Sequence, residues 1–148
     1  MEHERQAQEQ LLQAWMEMEV CIRGNRLLSD LSMNEMLICN LLYQRCDGDP
    51  VTATELCTRT HLLKSQMNHI LNSMESQGLI RRERNSRDKR AICVSLYEEA
   101  IPRYLREHNH VLSIVGAVCR ELGEKDAETL TTLMHKAASI VSHLKEEP

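Results

Sequence analysis

Two short helical segments, followed at once by a basic segment and an alternating apolar run, constrain the fold of this chain most. The first helix is predicted over residues 52–60, and the second over residues 63–77, with Gly78 as its C-terminal cap. The basic segment 81–90 comes next, and apolar alternation resumes at once in residues 91–96. A charged loop between two such runs predicts a β-hairpin that follows directly after a helix.

The second of these helices has one apolar and one polar face. At about 100° per residue, its apolar side chains fall together. They are Met67, Ile70, Leu71 and Met74. The opposite face carries short polar and amide side chains instead of the Glu and Lys that dominate solvated helices. This face consists of Ser65, His69, Asn72 and Ser76, flanked by Lys64, Gln66 and Asn68.

Such side chains suit the reading of duplex DNA. Asn and Gln pair bidentately with adenine, Ser bonds to several base edges, and a lysine near the helix start bonds to phosphate. All members of the polar face except Ser76 are therefore predicted DNA contacts. A face that is merely solvated is the alternative interpretation.

The segment 81–90 is locally basic in an acidic chain. Six of its ten residues are basic and two are acidic, so it carries +4, while the remaining 138 residues sum to −8 in a chain of formal net charge −4. Concentrated positive charge indicates contact with a polyanion. An edge hairpin charged against aggregation is the alternative, although evenly mixed signs would fit that better. The predicted DNA contacts are Arg87, Asp88, Lys89 and Arg90, with Asp88 expected to hold the guanidinium of Arg90.

Two helices joined by a short turn and followed by a basic hairpin are typical of a winged helix-turn-helix. The predicted fold class is mostly α with a small β-hairpin wing, and the DNA-binding core spans residues 33–97. An upstream helix of that core begins at a capping box, Ser32 with Glu35, and runs to about Arg45. A turn is predicted at 47–50.

Long helical segments at 1–30 and 98–148 flank this core. The first is predicted as a helix over about 4–28. Each segment has apolar residues spaced three and four apart. These stripes are Leu11, Trp15, Met18 and Ile22; Ile101, Leu105, His108, Leu112, Val115, Cys119 and Leu122; and Leu130, Leu133, Ala137, Ile140 and Leu144. One winged domain needs none of them, so they are predicted to be dimerisation helices that pack on a second copy.

Composition excludes several classes of protein. No apolar run approaches the ~20 residues that span a bilayer, and the first residues lack the order of a signal peptide, so a cytoplasmic protein without membrane contact is expected. The aromatic content of 3% argues against a base-stacking binder of RNA or single strands. The sequence has no glycine-rich phosphate loop, nucleophile elbow or His-Glu-x-x-His motif, so an enzyme is not expected. Six cysteines without a Cys-x-x-Cys pair are expected to be reduced.

Short motifs of the core resemble those of one family. Residues 51–57 (VTATELC) resemble an "LT..EL" opening, residues 74–80 (MESQGLI) an "LE..GLI.R" helix exit, and Asp88-Lys89-Arg90 a "D.R" wing. Residues 95–100 resemble the "LT..G" that starts the next helix. With flanking helices of matching number and length, the chain resembles the MarR family of bacterial regulators over nearly its whole length. It departs from the family at the helix-turn-helix turn, residues 60–62, where a glycine is common.

The resemblance implies a homodimer that binds pseudo-palindromic double-stranded DNA. Such a protein is usually a repressor of its own and nearby genes, and a signal releases it from the operator. No cofactor is expected to be required, and a small-molecule effector, bound where the dimer helices meet the core, is the expected signal. The alternative function is a winged-helix module that contacts an acidic protein through its basic wing.

Zinc and thiol oxidation are the alternative signals. Residues 107–110 (EHNH) resemble part of the site in zinc-sensing members, and imidazole and carboxylate ligands suit Zn²⁺. Met36 stands where those sensors place a histidine ligand. The candidate ligands are Glu19, Cys21, Glu35, Glu107 and His108. The candidate sensing thiols are Cys21 and Cys39, on the condition of exposure and a lowered pKa.

Overall fold

The computed structural model describes residues 1–45 and 50–144. The turn predicted at 47–50 lies almost entirely outside the described residues. The chain divides into two compact units, one from Met1 to His110 and one from Val111 onward. The helix that crosses this boundary contributes its first half to one unit and its second half to the other.

The described elements are mostly helical, which confirms the predicted fold class. In chain order they are α1 (Glu2–Gly24), α2 (Met33–Tyr43), β1 (Val51–Thr52), α3 (Ala53–Thr60), α4 (Lys64–Ser76), β2 (Ile80–Arg84), β3 (Ile92–Leu96), a 3₁₀ turn (Glu98–Ala100), α5 (Ile101–Leu122) and α6 (Glu124–Leu144). Helix α1 ends at Gly24 rather than near Leu28, because Arg26 has a left-handed backbone with φ +44° that cannot continue the helix. Leu28 instead packs against the core of the first unit.

The predicted helix starts are confirmed by their caps. Ser32 Oγ accepts from the N–H of Glu35, and the Glu35 carboxylate accepts from the N–H of Ser32, so the capping box is complete. Thr52 Oγ1 likewise accepts from the N–H of Glu55 at 3.1 Å. These bonds satisfy backbone donors that have no partner within the helix.

Helices α3 and α4 are joined through a residue in the left-handed region. His61 has φ +57°, at the place where the family commonly has glycine. A non-glycine residue adopts this conformation at some steric cost. At the other end of α4, Gly78 has φ +72° and ends the helix as predicted.

The wing hairpin is part of a three-stranded antiparallel sheet of order β1-β3-β2. Strands β2 and β3 pair from Ile80 opposite Leu96 to Arg84 opposite Ile92, which confirms the predicted hairpin. Strand β1 was not predicted, because two residues are too few to show alternation. It pairs Val51 with Val94.

A single apolar cluster lies between α2, α3, α4, the sheet and the start of α5. Its fully buried side chains are Ile38, Cys39, Leu56, Met67, Leu71, Met74, Leu79, Ile80 and Tyr104. The hydroxyl of Tyr104 donates to Asn40 Oδ1 at 2.8 Å, so this aromatic ring enters the core with its polar atom satisfied. The core therefore holds α4 by one face and leaves its other face free.

A buried carboxylate anchors the loop between α1 and α2. Glu107, on α5, is 4% exposed and accepts the N–H and hydroxyl of Ser29 and the N–H of Asp30 at 2.6–3.1 Å. The Asp30 carboxylate in turn pairs with Arg103, whose hydrogen bonds hold the pKa of that carboxyl below its usual value. Arg103 also donates to Gln77 Oε1 at the end of α4. The loop, α5 and the end of α4 are thus joined by polar contacts.

The predicted dimerisation stripes on α1, on α6 and on the second half of α5 are exposed in the described chain, whereas Ile101, Leu105 and His108 on the first half of α5 are partly buried. Helices α1 and α6 contain no buried residue among those described, and Trp15 is 62% exposed. In the second unit the exposed apolar side chains include Leu112, Val115, Leu122, Leu133, Ile140 and Leu144. Apolar stripes left open to water in this way are available to a partner. None of the described helices holds a stretch long and apolar enough to cross a membrane.

Replacing Glu107 with glutamine tests the loop anchor. The amide of Gln would turn a donor toward donors of Ser29 and Asp30, so at least one would lose its acceptor. We expect Glu107→Gln to lower the free energy of unfolding by about 1–3 kcal/mol, measured by urea denaturation. The exposed Glu121→Gln on the same helix is the control, with an expected change within about 0.5 kcal/mol. Equal stabilities of the two variants would contradict the assignment.

Candidate nucleic-acid interface

The polar face of α4 is exposed. Because Met67, Leu71 and Met74 are buried, the helix turns its predicted contact residues to solvent. All six of them are exposed: Lys64, Ser65, Gln66, Asn68, His69 and Asn72. The polar face of the helix is therefore turned to solvent, as the sequence predicted.

The first-turn backbone amides of α4 have no side-chain cap. Its N-cap residue, Leu63, has no polar side-chain atom to accept from the first-turn amides. The Gln66 side chain instead accepts from the N–H of Leu63 at 3.0 Å, so its Oε1 atom is occupied. Uncapped amides at a helix N-terminus, next to the ammonium of Lys64, favour an anion such as phosphate.

Arg82 ties the wing to α4, a contact that the sequence did not predict. Its Nη2 donates to Asn72 Oδ1 at 2.6 Å, and its Nε and Nη2 donate to Glu75 Oε2 at 2.8 and 2.6 Å. Arg82 lies opposite Val94 in the hairpin register, and Val94 is buried. Strand alternation therefore turns Arg82 toward the helix side of the sheet, and that alternation was the available signal.

The wing tip is shaped by short-range hydrogen bonds. The N–H of Asn85 donates to the carbonyl of Ala91, and Asn85 Oδ1 accepts from the N–H of Arg87. Asp88 Oδ1 accepts from the backbone N–H of Arg90 at 3.0 Å. The prediction that Asp88 holds the Arg90 guanidinium was wrong. An aspartate in a turn accepts more readily from the backbone amide two residues ahead. Asp88 shapes the backbone at Arg90.

The basic side chains of the wing fall into two groups. Arg82 is paired with Glu75, and Arg81 lies 3.7 Å from Glu83. The other four are exposed and have no ion pair within the part of the chain that the structure describes. They are Arg84, Arg87, Lys89 and Arg90. The free positive charge is therefore concentrated at the end of strand β2 and around the wing tip.

Comparison with known proteins relates this interface to one family. Residues 39–91, which include α3, α4 and most of the wing, match the sequence profile of the MarR family. The winged core of this chain is similar to that of the MarR family. No curated protein matches the sequence significantly.

Solved structures of transcriptional regulators share the fold. The repressor CouR, bound to a 23-mer DNA duplex, is 19% identical with a TM-score of 0.67 over 89% of each chain. FabT of Streptococcus pneumoniae, in complex with DNA, is 17% identical with a TM-score of 0.72, over 95% of this chain and 98% of FabT. BldR of Sulfolobus solfataricus is 25% identical with a TM-score of 0.65, over 91% of this chain and 96% of BldR.

The residues resembling a MarR-family zinc site have other partners here. Glu107 accepts from the α1–α2 loop, Glu35 completes a capping box, and Glu19 pairs with Arg23 at 2.9 Å. The Nδ1 atom of His108 lies 3.3 Å from the Tyr104 hydroxyl. Among residues 1–45 and 50–144, no three histidine, cysteine or carboxylate side chains form a group that could hold a metal ion.

The two candidate thiols lie in opposite environments. Cys39 is fully buried in the core, and this burial raises its pKa to about 12. Its thiol therefore stays protonated near neutral pH and lacks the thiolate that oxidation requires. Cys21 is exposed on α1. Of the two, only Cys21 keeps the accessibility expected of a sensing thiol.

Proposed function

We propose that this chain is a homodimeric repressor of its own and nearby genes, bound to a pseudo-palindromic operator until a signal releases it. One observation carries the DNA-binding part. The amide-rich face of α4 is exposed, and the wing that Arg82 bonds to this helix carries four basic side chains with no carboxylate partner in the described chain. The helix face suits base edges in the major groove, and the wing cations suit phosphates or a minor groove.

The homodimer is supported by the exposed apolar stripes. Helix α1 and the unit beginning at Val111 each leave large apolar side chains in water. A second copy that covers them would bury this surface and supply a second α4. Two copies related by a two-fold axis fit two half-sites of one operator. Repression itself is proposed from the similarity of residues 39–91 to the MarR family.

A small-molecule effector is the proposed signal, and no cofactor is proposed to be required. A cavity of about 550 Å³ lies between α2, the sheet and the start of α5, in the size range of ligand sites. Its lining mixes apolar side chains such as Leu42 and Ile101 with the charged side chains of Arg45, Arg81 and Glu83. A small molecule with an apolar body and a charged group would fit this chemistry. Zinc and oxidation at Cys21 remain the alternative signals.

Arg90→Ala tests the DNA interface. Fluorescence anisotropy with a labelled duplex from upstream of the protein's own gene would measure the Kd at several salt concentrations. We expect a loss of about 1–3 kcal/mol, or roughly 5- to 150-fold, and a salt slope smaller by about one. Arg5→Ala is the control, because it removes the same charge from an exposed ion pair on α1.

Unchanged operator binding by Arg90→Ala would contradict the wing assignment. If the unmodified protein had no preference for the operator duplex over a random one, the alternative, an acidic-protein-binding module, would be favoured.

The dimer is tested by sedimentation equilibrium. We expect twice the chain mass of 17.1 kDa at micromolar concentration. Leu133→Glu places a charge in the exposed stripe of α6 and should raise the dimer Kd at least about tenfold. Thr132→Glu adds the same charge at a neighbouring position off the stripe and should leave the mass unchanged. A monomeric unmodified protein would rule out the dimer.

The signal is tested by repeating the DNA titration with an aromatic acid, with zinc and with a mild oxidant in turn. We expect the aromatic acid to raise the Kd for the operator and the other two to leave it unchanged. Release by zinc, or release by the oxidant that Cys21→Ser abolishes, would replace the small-molecule proposal with the corresponding alternative.

A further inference from the structure

Arg82 lies in the basic segment of the sequence, but its side chain contacts helix α4 in the structure. Its side chain is 24% exposed, and all three of its hydrogen bonds go to α4. Asn72 and Glu75 lie three residues apart, so they stand next to each other on the helix surface. One guanidinium therefore binds an amide and a carboxylate of α4 at once.

The contact fixes the orientation of the Asn72 amide. A guanidinium has only donors, so the atom that faces it at 2.6 Å is the amide oxygen. The Nδ2 group of Asn72 donates to no acceptor within the described residues. Asn72 thus presents two donors, while its acceptor is occupied by a charge-assisted bond.

Glu75 keeps Arg82 in this position. Its carboxylate accepts from both Nε and Nη2, and such charge-assisted bonds are stronger than neutral ones. The same pairing offsets the charge of Arg82, in contrast to the unpaired Arg90. Arg82 is therefore suited to holding Asn72 rather than to binding phosphate.

We propose that Arg82 determines base specificity by holding Asn72 as a donor-only side chain that reads guanine. An asparagine reads adenine bidentately by accepting from N6 and donating to N7, and this requires its oxygen. Two donors instead match the adjacent N7 and O6 acceptors that guanine exposes in the major groove. This inference rests on the proposed DNA-binding function.

Asn68, on the same helix, provides a matched comparison for Asn72. Asn68 is also exposed, and within the described residues its side chain has no hydrogen-bond partner. Its amide is free to rotate and can pair with adenine. Two asparagines on one helix would therefore read different bases because one of them is held by an arginine.

Selection of binding sites from randomised duplexes, followed by sequencing, tests this with the full-length protein. We expect the unmodified protein to prefer guanine at one position of each half-site by about 5- to 150-fold. Arg82→Met keeps an apolar stem without donors and should shift that position toward adenine. Asn72→Ala should abolish the preference there, and adding Arg82→Met should then change nothing further at that position. Asn68→Ala should affect a different position, which Arg82→Met leaves unaltered.

Asn72→Asp provides a test that keeps the contact with Arg82. The carboxylate still accepts from Arg82 but has no donors, so the position should shift from guanine toward cytosine, whose N4 group donates. A guanine preference retained in Asn72→Asp, or an Arg82→Met preference identical to that of the unmodified protein, would overturn the inference while leaving the proposed function intact. If the unmodified protein selected no sequence at all, both would be wrong.

Discussion

The interface depends on the burial of one face of α4. Met67, Leu71 and Met74 are each at most 1% exposed, and burying such side chains contributes about 1.5–3 kcal/mol each. Their spacing leaves no freedom to rotate the helix, since turning any one of them outward would lose that contribution. The polar face is exposed as a consequence. The burial of these three side chains therefore determines which side chains of α4 are exposed for contact.

The end of α4 is held by polar contacts in addition to the packing of Met74. Gln77 donates to Glu35 at 2.9 Å, and its amide oxygen accepts from Arg103. Arg103 is itself held by Asp30, and Glu107 holds the loop that carries Asp30. A shift of the first half of α5 would pull on Gln77 through charge-assisted bonds, which are stronger than neutral ones. The position of the end of α4 therefore depends on three elements, namely the α1–α2 loop, helix α2 and helix α5.

Local signals in the sequence predicted local structure well. The cap at Thr52, the helix end at Gly78 and the hairpin each depend on residues within one short stretch of chain. The buried role of Glu107 and the helix contact of Arg82 depend on partners far away in sequence or on a different element. Hydrophobic periodicity does not specify such partners. A glutamate beside a histidine predicts a metal ligand just as readily as it predicts a loop anchor.

The charge composition of the basic segment overestimates the number of cations that are available to DNA. The segment has six basic residues, yet Arg82 pairs with Glu75 and Arg81 lies near Glu83. Counterion release scales with the phosphates that a protein neutralises, and a cation already paired with a carboxylate contributes less to it. The charge available to DNA is therefore that of four side chains per wing. Arg82, which is bonded to the Asn72 amide of α4, is better placed to orient that side chain than to add attraction for DNA.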